Sequence, residues 1–169
     1  RLKMELPATV KLVAVSKFHP FDAIEEAYEV GQRIFAESRP QELRAKYEAL
    51  PHDIEWHMIG HLQTNKVKYI ASYVSLIHGV DSYKLLLEIN RQGQRVGRII
   101  PCLLQIHIAQ EETKFGFSMD ECQAMLAEGA WKELKHVQIA GVMGMGTNTD
   151  DEAQTEREFA SLQAFFHEV

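Results

Sequence analysis

Lys17 ends an apolar run, Leu12-Val13-Ala14-Val15-Ser16-Lys17, that reads as a buried strand, and Phe18-His19-Pro20 and a helical pattern follow at once. An amine at the carboxyl end of a buried parallel strand is expected to be desolvated, which disfavours its charged form and leaves its lone pair free to condense with a carbonyl. Schiff-base chemistry is the reaction this placement suggests. A lysine that merely carries its charge out to water is the alternative.

The remaining reactive residues form weaker patterns. His57 and His61, in Trp56-His57-Met58-Ile59-Gly60-His61, have the spacing of an HxxxH pair. On a strand, residues four apart lie ~13 Å from one another, too far to share an ion at bonds of about 2.1 Å. No cysteine or carboxylate stands at convincing spacing beside them, so no metal is expected, and His57 reads as an inward-facing polar side chain satisfied by hydrogen bonds. Glu37-Ser38-Arg39 closes the second apolar run, either as a ligand contact or, more simply, as a turn with Ser38 capping the next helix. Glu111-Glu112-Thr113-Lys114-Phe115-Gly116-Phe117 is a candidate lid or a solvated connection, and Thr147-Asn148-Thr149-Asp150 reads as cap formers. No Ser/His/Asp set and no carboxylate pair suited to glycoside hydrolysis stands out.

These residues must be positioned by an alternation of strand and helix. Strand-like runs fall at 12–17, 33–37, 54–60, 74–81, 99–108 and 137–146, near-continuously apolar, as parallel strands covered on both faces are. Between them the period becomes helical: Phe21, Ile24, Ala27 and Tyr28 after Pro20 and before Gly31; Leu43, Tyr47 and Leu50; Leu85, Leu86 and Ile89 after Ser82; Phe159, Leu162, Phe165 and Phe166 after Asp150-Asp151-Glu152. Lys66 and Lys68 read as the solvated face of a short helix, and Ser118 with Glu121 as a capping box. Six βα units result, repeating about every 25 residues, near the ~30 of a (β/α)8 TIM barrel. A doubly wound nucleotide-binding sheet would place glycines after the first strand, and Ser16-Lys17-Phe18-His19-Pro20 has none. Gly141-Val142-Met143-Gly144-Met145-Gly146 is in the wrong order for that fingerprint and reads as close backbone packing or a loop beside a ligand. A barrel closes at eight strands, so residues 1–169 are expected to form a single barrel domain lacking its last two βα units, as a segment of a longer protein.

With 46% hydrophobic and 25% charged residues the chain can bury a real core. Its net charge of −6 argues against a nucleic-acid partner, and no run approaches the ~20 apolar residues of a membrane span. Cys102 and Cys122, without CxxC or other metal spacing around either, suit a reducing cytoplasm.

Together these residues resemble the pyridoxal 5′-phosphate (PLP) homeostasis proteins, whose fold is similar to the N-terminal barrel domain of alanine racemase. The resemblance runs through Leu12–Lys17, through Phe35-Ala36-Glu37-Ser38 with Gln41-Glu42, and through Ile54–Lys66, which is the most specific block. It continues in Leu76–Ser82, Cys102–Ile106, Lys114–Phe117 and Gly141–Gly144. It implies that Lys17 holds PLP as a Schiff base. By the same resemblance Ser38 stands where the family commonly has an asparagine near the cofactor, Met143 comes from a strand whose end approaches it, and His57 and Gly60 line the barrel near that face. Ala36 and Ser38 replace the family's usual glycine and asparagine, and the phosphate-gripping segments expected after a seventh and an eighth strand are not among these residues. The segment alone is therefore expected to hold PLP weakly. The resemblance implies a carrier that influences PLP supply to apoenzymes without established turnover, and a cytoplasmic monomer is expected. The alternative is a PLP-dependent racemase-like enzyme, which would need acid-base groups on both faces of the cofactor.

Overall fold

The computed structural model describes residues 5–111 and 115–169. Glu112, Thr113 and Lys114, within the candidate lid, lie outside the described residues. Six strands, β1 (Ala14–Val15), β2 (Ile34–Glu37), β3 (Glu55–Met58), β4 (Leu76–Val80), β5 (Ile100–Ile106) and β6 (Val137–Gly144), form one sheet in sequential order. Every neighbouring pair is parallel. The helices α1 (Phe21–Glu29), α2 (Pro40–Ala49), α3 (Tyr83–Val96), α4 (Met119–Glu128) and α5 (Glu152–Glu168) return the chain between or after strands. This is the architecture of a (β/α)8 barrel with six βα units present, as the alternating periods predict. In the third unit the return is a 3-10 helix, Thr64–Tyr69, which buries Val67 with the following Ile70 and Ala71.

The central strands are largely apolar because both of their faces are covered. Along β5, Ile100, Cys102, Leu104 and Ile106 join the core with Leu85, Leu86, Ile89, Cys122 and Met125 of the helices, and alternation turns Pro101, Leu103 and Gln105 to the opposite face. Burial of a side chain such as Phe35 or Leu43 contributes about 2–3 kcal/mol. Helix ends follow the local chemistry. Ser82 Oγ accepts from Leu85 N–H at 3.1 Å at the start of α3, and Gly97, at φ 68°, closes it with Arg98 N–H returning to the Gly93 carbonyl at 2.9 Å. Arg98 then donates to the carbonyls of Ala71 and Val74, tying α3 to the loop before β4. Ser118 and Glu121 form the expected capping box of α4, and Asp151 caps α5.

Two differences from the sequence expectations share a cause. The first strand contracts from 12–17 to Ala14–Val15, and α5 buries Leu162 and Phe165 while Phe159 and Phe166 are 44% and 50% exposed. β1 and β6 are the edges of the described sheet, so each has one strand neighbour, and elements packed there are covered on one side. Among the described residues, no helix is long and apolar enough to cross a membrane.

Candidate functional site at the carboxyl edge of the sheet

All six strands run in one direction, so their carboxyl ends lie along one edge. Lys17 stands two residues past β1, Ser38 one past β2, Gly60 two past β3, His57 just before the end of β3, and Met143 next to last in β6. Ser38 and Gly60 are neighbours: a Cβ on Gly60 would lie 3.6 Å from that of Ser38. Met143, in β6 at the opposite end of the described sheet from Lys17, pairs in register with Gln105 of β5. Arg39, not Ser38, occupies the N-cap of α2, without a side-chain cap bond. Pro40 at the first helical position supplies a preset φ that starts the helix one residue later than a Ser38 cap would.

Lys17 is exposed. The sequence placed it in a desolvated strand end; in the structure β1 is only Ala14–Val15 and the chain leaves it in a tight turn that carries Lys17 out to the surface. His19 N–H donates to the Ser16 carbonyl at 3.0 Å, and Phe18 has φ 66°. A positive φ at the third position is the mark of a type II turn, ordinarily reserved for glycine or asparagine, and a bulky residue there is strained by about 1–3 kcal/mol. Lys17 is the second residue of that turn.

The strain is held by a cluster that spacing did not reveal. Lys46, from α2 and 3% exposed, donates to Glu37 Oε1 at 2.7 Å, to Glu42 Oε1 at 2.9 Å and to the Ser16 carbonyl at 3.0 Å. Ser16 Oγ donates to Glu37 Oε2 at 2.5 Å, and Phe18 N–H donates to Glu42 Oε1 at 2.9 Å. The Arg39 guanidinium lies 4.7 Å from the centre of the Phe18 ring. Complete burial pushes the Glu37 carboxyl up, against the lowering effect of its bonds from Lys46 and Ser16. For Glu42 partial burial works upward too, but bonds from Lys46 and the Phe18 amide outweigh it and hold the carboxyl below its usual range. One signal was available in the sequence: Glu42 and Lys46 have i,i+4 spacing, and Glu37 in an apolar strand demands a partner.

Inside the sheet, His57 is 5% exposed and both its ring nitrogens are engaged. Nε2 is 3.0 Å from Glu55 Oε2, and Nδ1 is 2.8 Å from Nε2 of His78. A neutral His57 that donates to Glu55 must accept from His78. Burial lowers His57, opposed by Glu55 and assisted by Lys11; burial and then the neighbouring His57 bring His78 down to about 4. An unfolded histidine titrates near 6.5, so between those values the unfolded chain binds the extra proton. Stability is therefore expected to fall as pH drops from about 6.5 towards 4 and to level off below, by about 3 kcal/mol at about 1.4 kcal/mol per pKa unit. Urea titrations across that range should show the slope, and His78→Gln should flatten it. An unchanged slope in that variant would remove His78 as its source.

At the same edge, Gly79 sits where β4 shifts register between Ile77 and Val80. Gln105 is 4% exposed, donates to the Phe115 carbonyl at 3.1 Å, and keeps Oε1 buried without a partner. Cys102 and Cys122 are free and buried. Burial pushes their thiols up to about 12 and about 11, so neither supplies a thiolate near neutral pH.

Comparison with known proteins agrees with this architecture. The family model of the alanine racemase N-terminal domain matches residues 1–169. The pyridoxal phosphate homeostasis protein of Helicobacter pylori strain 26695 is 37% identical over 162 residues, covering 95% of this chain and 72% of the relative. The structure of PipY from Synechococcus elongatus without PLP matches with TM-score 0.91 and 37% identity over 99% of this chain and 78% of that one. PipY with PLP bound matches with TM-score 0.87 and 36% identity, covering 99% and 77%. On sequence and fold alike, the chain belongs to the pyridoxal phosphate homeostasis proteins, built on the alanine racemase N-terminal domain.

Proposed function

We propose that this protein holds pyridoxal 5′-phosphate through a Schiff base on Lys17 and acts in the cytoplasm, as a monomeric single-barrel carrier, to supply the cofactor to apoenzymes. The observation that carries the reading is an accessible primary amine fixed in a strained, multiply anchored turn at the carboxyl edge of a parallel sheet, in a family with a PLP-bound member of the same fold. The residues present fit the aldehyde end of the cofactor: an amine condenses with an aldehyde, releasing one water and needing no oxidant. The unpartnered Oε1 of Gln105 offers a buried acceptor at the same edge. Ser38 supplies a hydroxyl beside Gly60, Met143 an apolar wall from β6, and His57 acts from behind, holding the interior of β3 and β4 together. Bound PLP would supply an electrophilic carbon and an electron sink.

The test adds PLP to the protein, records the visible absorbance, reduces with borohydride and locates the modified peptide by mass spectrometry. A stable adduct on Lys17, lost in Lys17→Ala, is expected. A colourless protein with unmodified Lys17 would overturn the reading. Transfer to a PLP-requiring apoenzyme without exchange of an amino acid's α-hydrogen for solvent deuterium marks a carrier; Lys17-dependent exchange would mark a racemase-like enzyme instead.

A further inference from the structure

The cluster around Glu42 reaches Lys17 from both sides without touching its amine. Ser16, before it, is bound through its carbonyl by Lys46 and through its hydroxyl by Glu37. Phe18, after it, is bound through its amide by Glu42. Glu42 and Lys46 lie one helical turn apart on α2 and are themselves joined at 2.9 Å. The two sides of the turn are thereby tied to one helix. Left free, a phenylalanine at φ 66° would relax towards negative φ, and the turn would carry the Lys17 side chain with it.

We propose that Glu42 is a positioning residue for Lys17: by accepting the Phe18 amide while braced by Lys46, it keeps the turn in its strained form and so fixes the direction in which the Lys17 amine leaves the sheet. The inference rests on the proposed role of Lys17 for its functional meaning, but the structural claim stands on the apo protein. Glu42 suits a substitution test because its side chain is 24% exposed and Lys46 keeps Glu37 and the Ser16 carbonyl without it. The fold should therefore survive.

Three variants decide the matter. Glu42→Ala removes the acceptor, Glu42→Gln keeps an oxygen in its place, and Arg98→Met, which loses its bonds to Ala71 and Val74, serves as a remote destabilised control. Hydrogen exchange at the Phe18 amide is read by NMR in the apo protein, and the rate of borohydride-trapped PLP adduct formation on Lys17 is read separately. Glu42→Ala should speed exchange at Phe18 and slow adduct formation, each about tenfold, as loss of a hydrogen bond to a charged group allows. Glu42→Gln should restore most of both, and Arg98→Met should lower the melting temperature while leaving both within about twofold. Unchanged exchange and unchanged adduct rate in Glu42→Ala would overturn the inference, as would equal slowing in Arg98→Met. If the parent protein forms no adduct, the PLP reading falls, and the exchange data alone decide whether Glu42 holds the turn.

Discussion

Lys46→Met is expected to cost about 3–5 kcal/mol of folding stability, the usual penalty for leaving one member of a buried ion pair without its partner. The Lys46 side chain is 4% exposed and that of Glu37 is not exposed at all. Methionine fills much of the space but donates nothing, so Glu37 keeps only the Ser16 hydroxyl, and the Ser16 carbonyl and Glu42 each lose a donor. The sign with pH is specific. Without the ammonium the already raised Glu37 carboxyl rises further, so the folded variant takes up a proton more readily than the unfolded chain. Its deficit should be largest near neutrality and shrink as the solution is acidified. Glu37→Gln in the same background should recover part of the loss at neutral pH. Urea denaturation at two pH values checks this, and a neutral-pH loss under about 1 kcal/mol would show that the cluster is not the anchor described.

Gly79→Ala should be nearly as damaging for a steric reason. A Cβ on Gly79 would lie 2.3 Å from the Gly60 carbonyl oxygen, 3.2 Å from its carbon and 3.3 Å from Gln105 Oε1. The obstacle is backbone, and Gly60 is itself at φ 78°, so relief requires moving the loop after β3. Overpacking of this kind costs about 3 kcal/mol. Gly141→Ala is the matched control: its Cβ would meet only Leu103 Cδ2, at 3.5 Å, an ordinary contact, and should cost under about 1 kcal/mol. Thermal melts that show equal effects at the two glycines would contradict the close approach of β4 to the β3 loop. Because Ser38 borders Gly60, Gly79→Ala should also disturb the carboxyl edge.

The chain order of elements and their parallel arrangement are legible in the sequence, since near-continuous apolar runs such as Ile99–Leu104 alternate with 3.6-period segments, and both signals are local. Caps at Ser82, Ser118 and Asp151 are local too, set by one side chain and the amides two or three residues on. Lys17 was legible as an amine at a strand end, and its family resemblance gave that amine a chemistry. Its surroundings were not legible. Whether Lys17 is dry or exposed depends on where β1 stops and how the following turn is anchored by α2, which no property of Leu12–Lys17 encodes. The Ser16–Glu37–Lys46 cluster joins positions 21, 9 and 30 residues apart, and the His57–His78 pair joins adjacent strands. Such contacts arise when the sheet brings its carboxyl ends together. Local periodicity specifies which residues lie on which face, whereas the desolvation, strain and shared protons that shape the chemistry follow from neighbours distant in the chain.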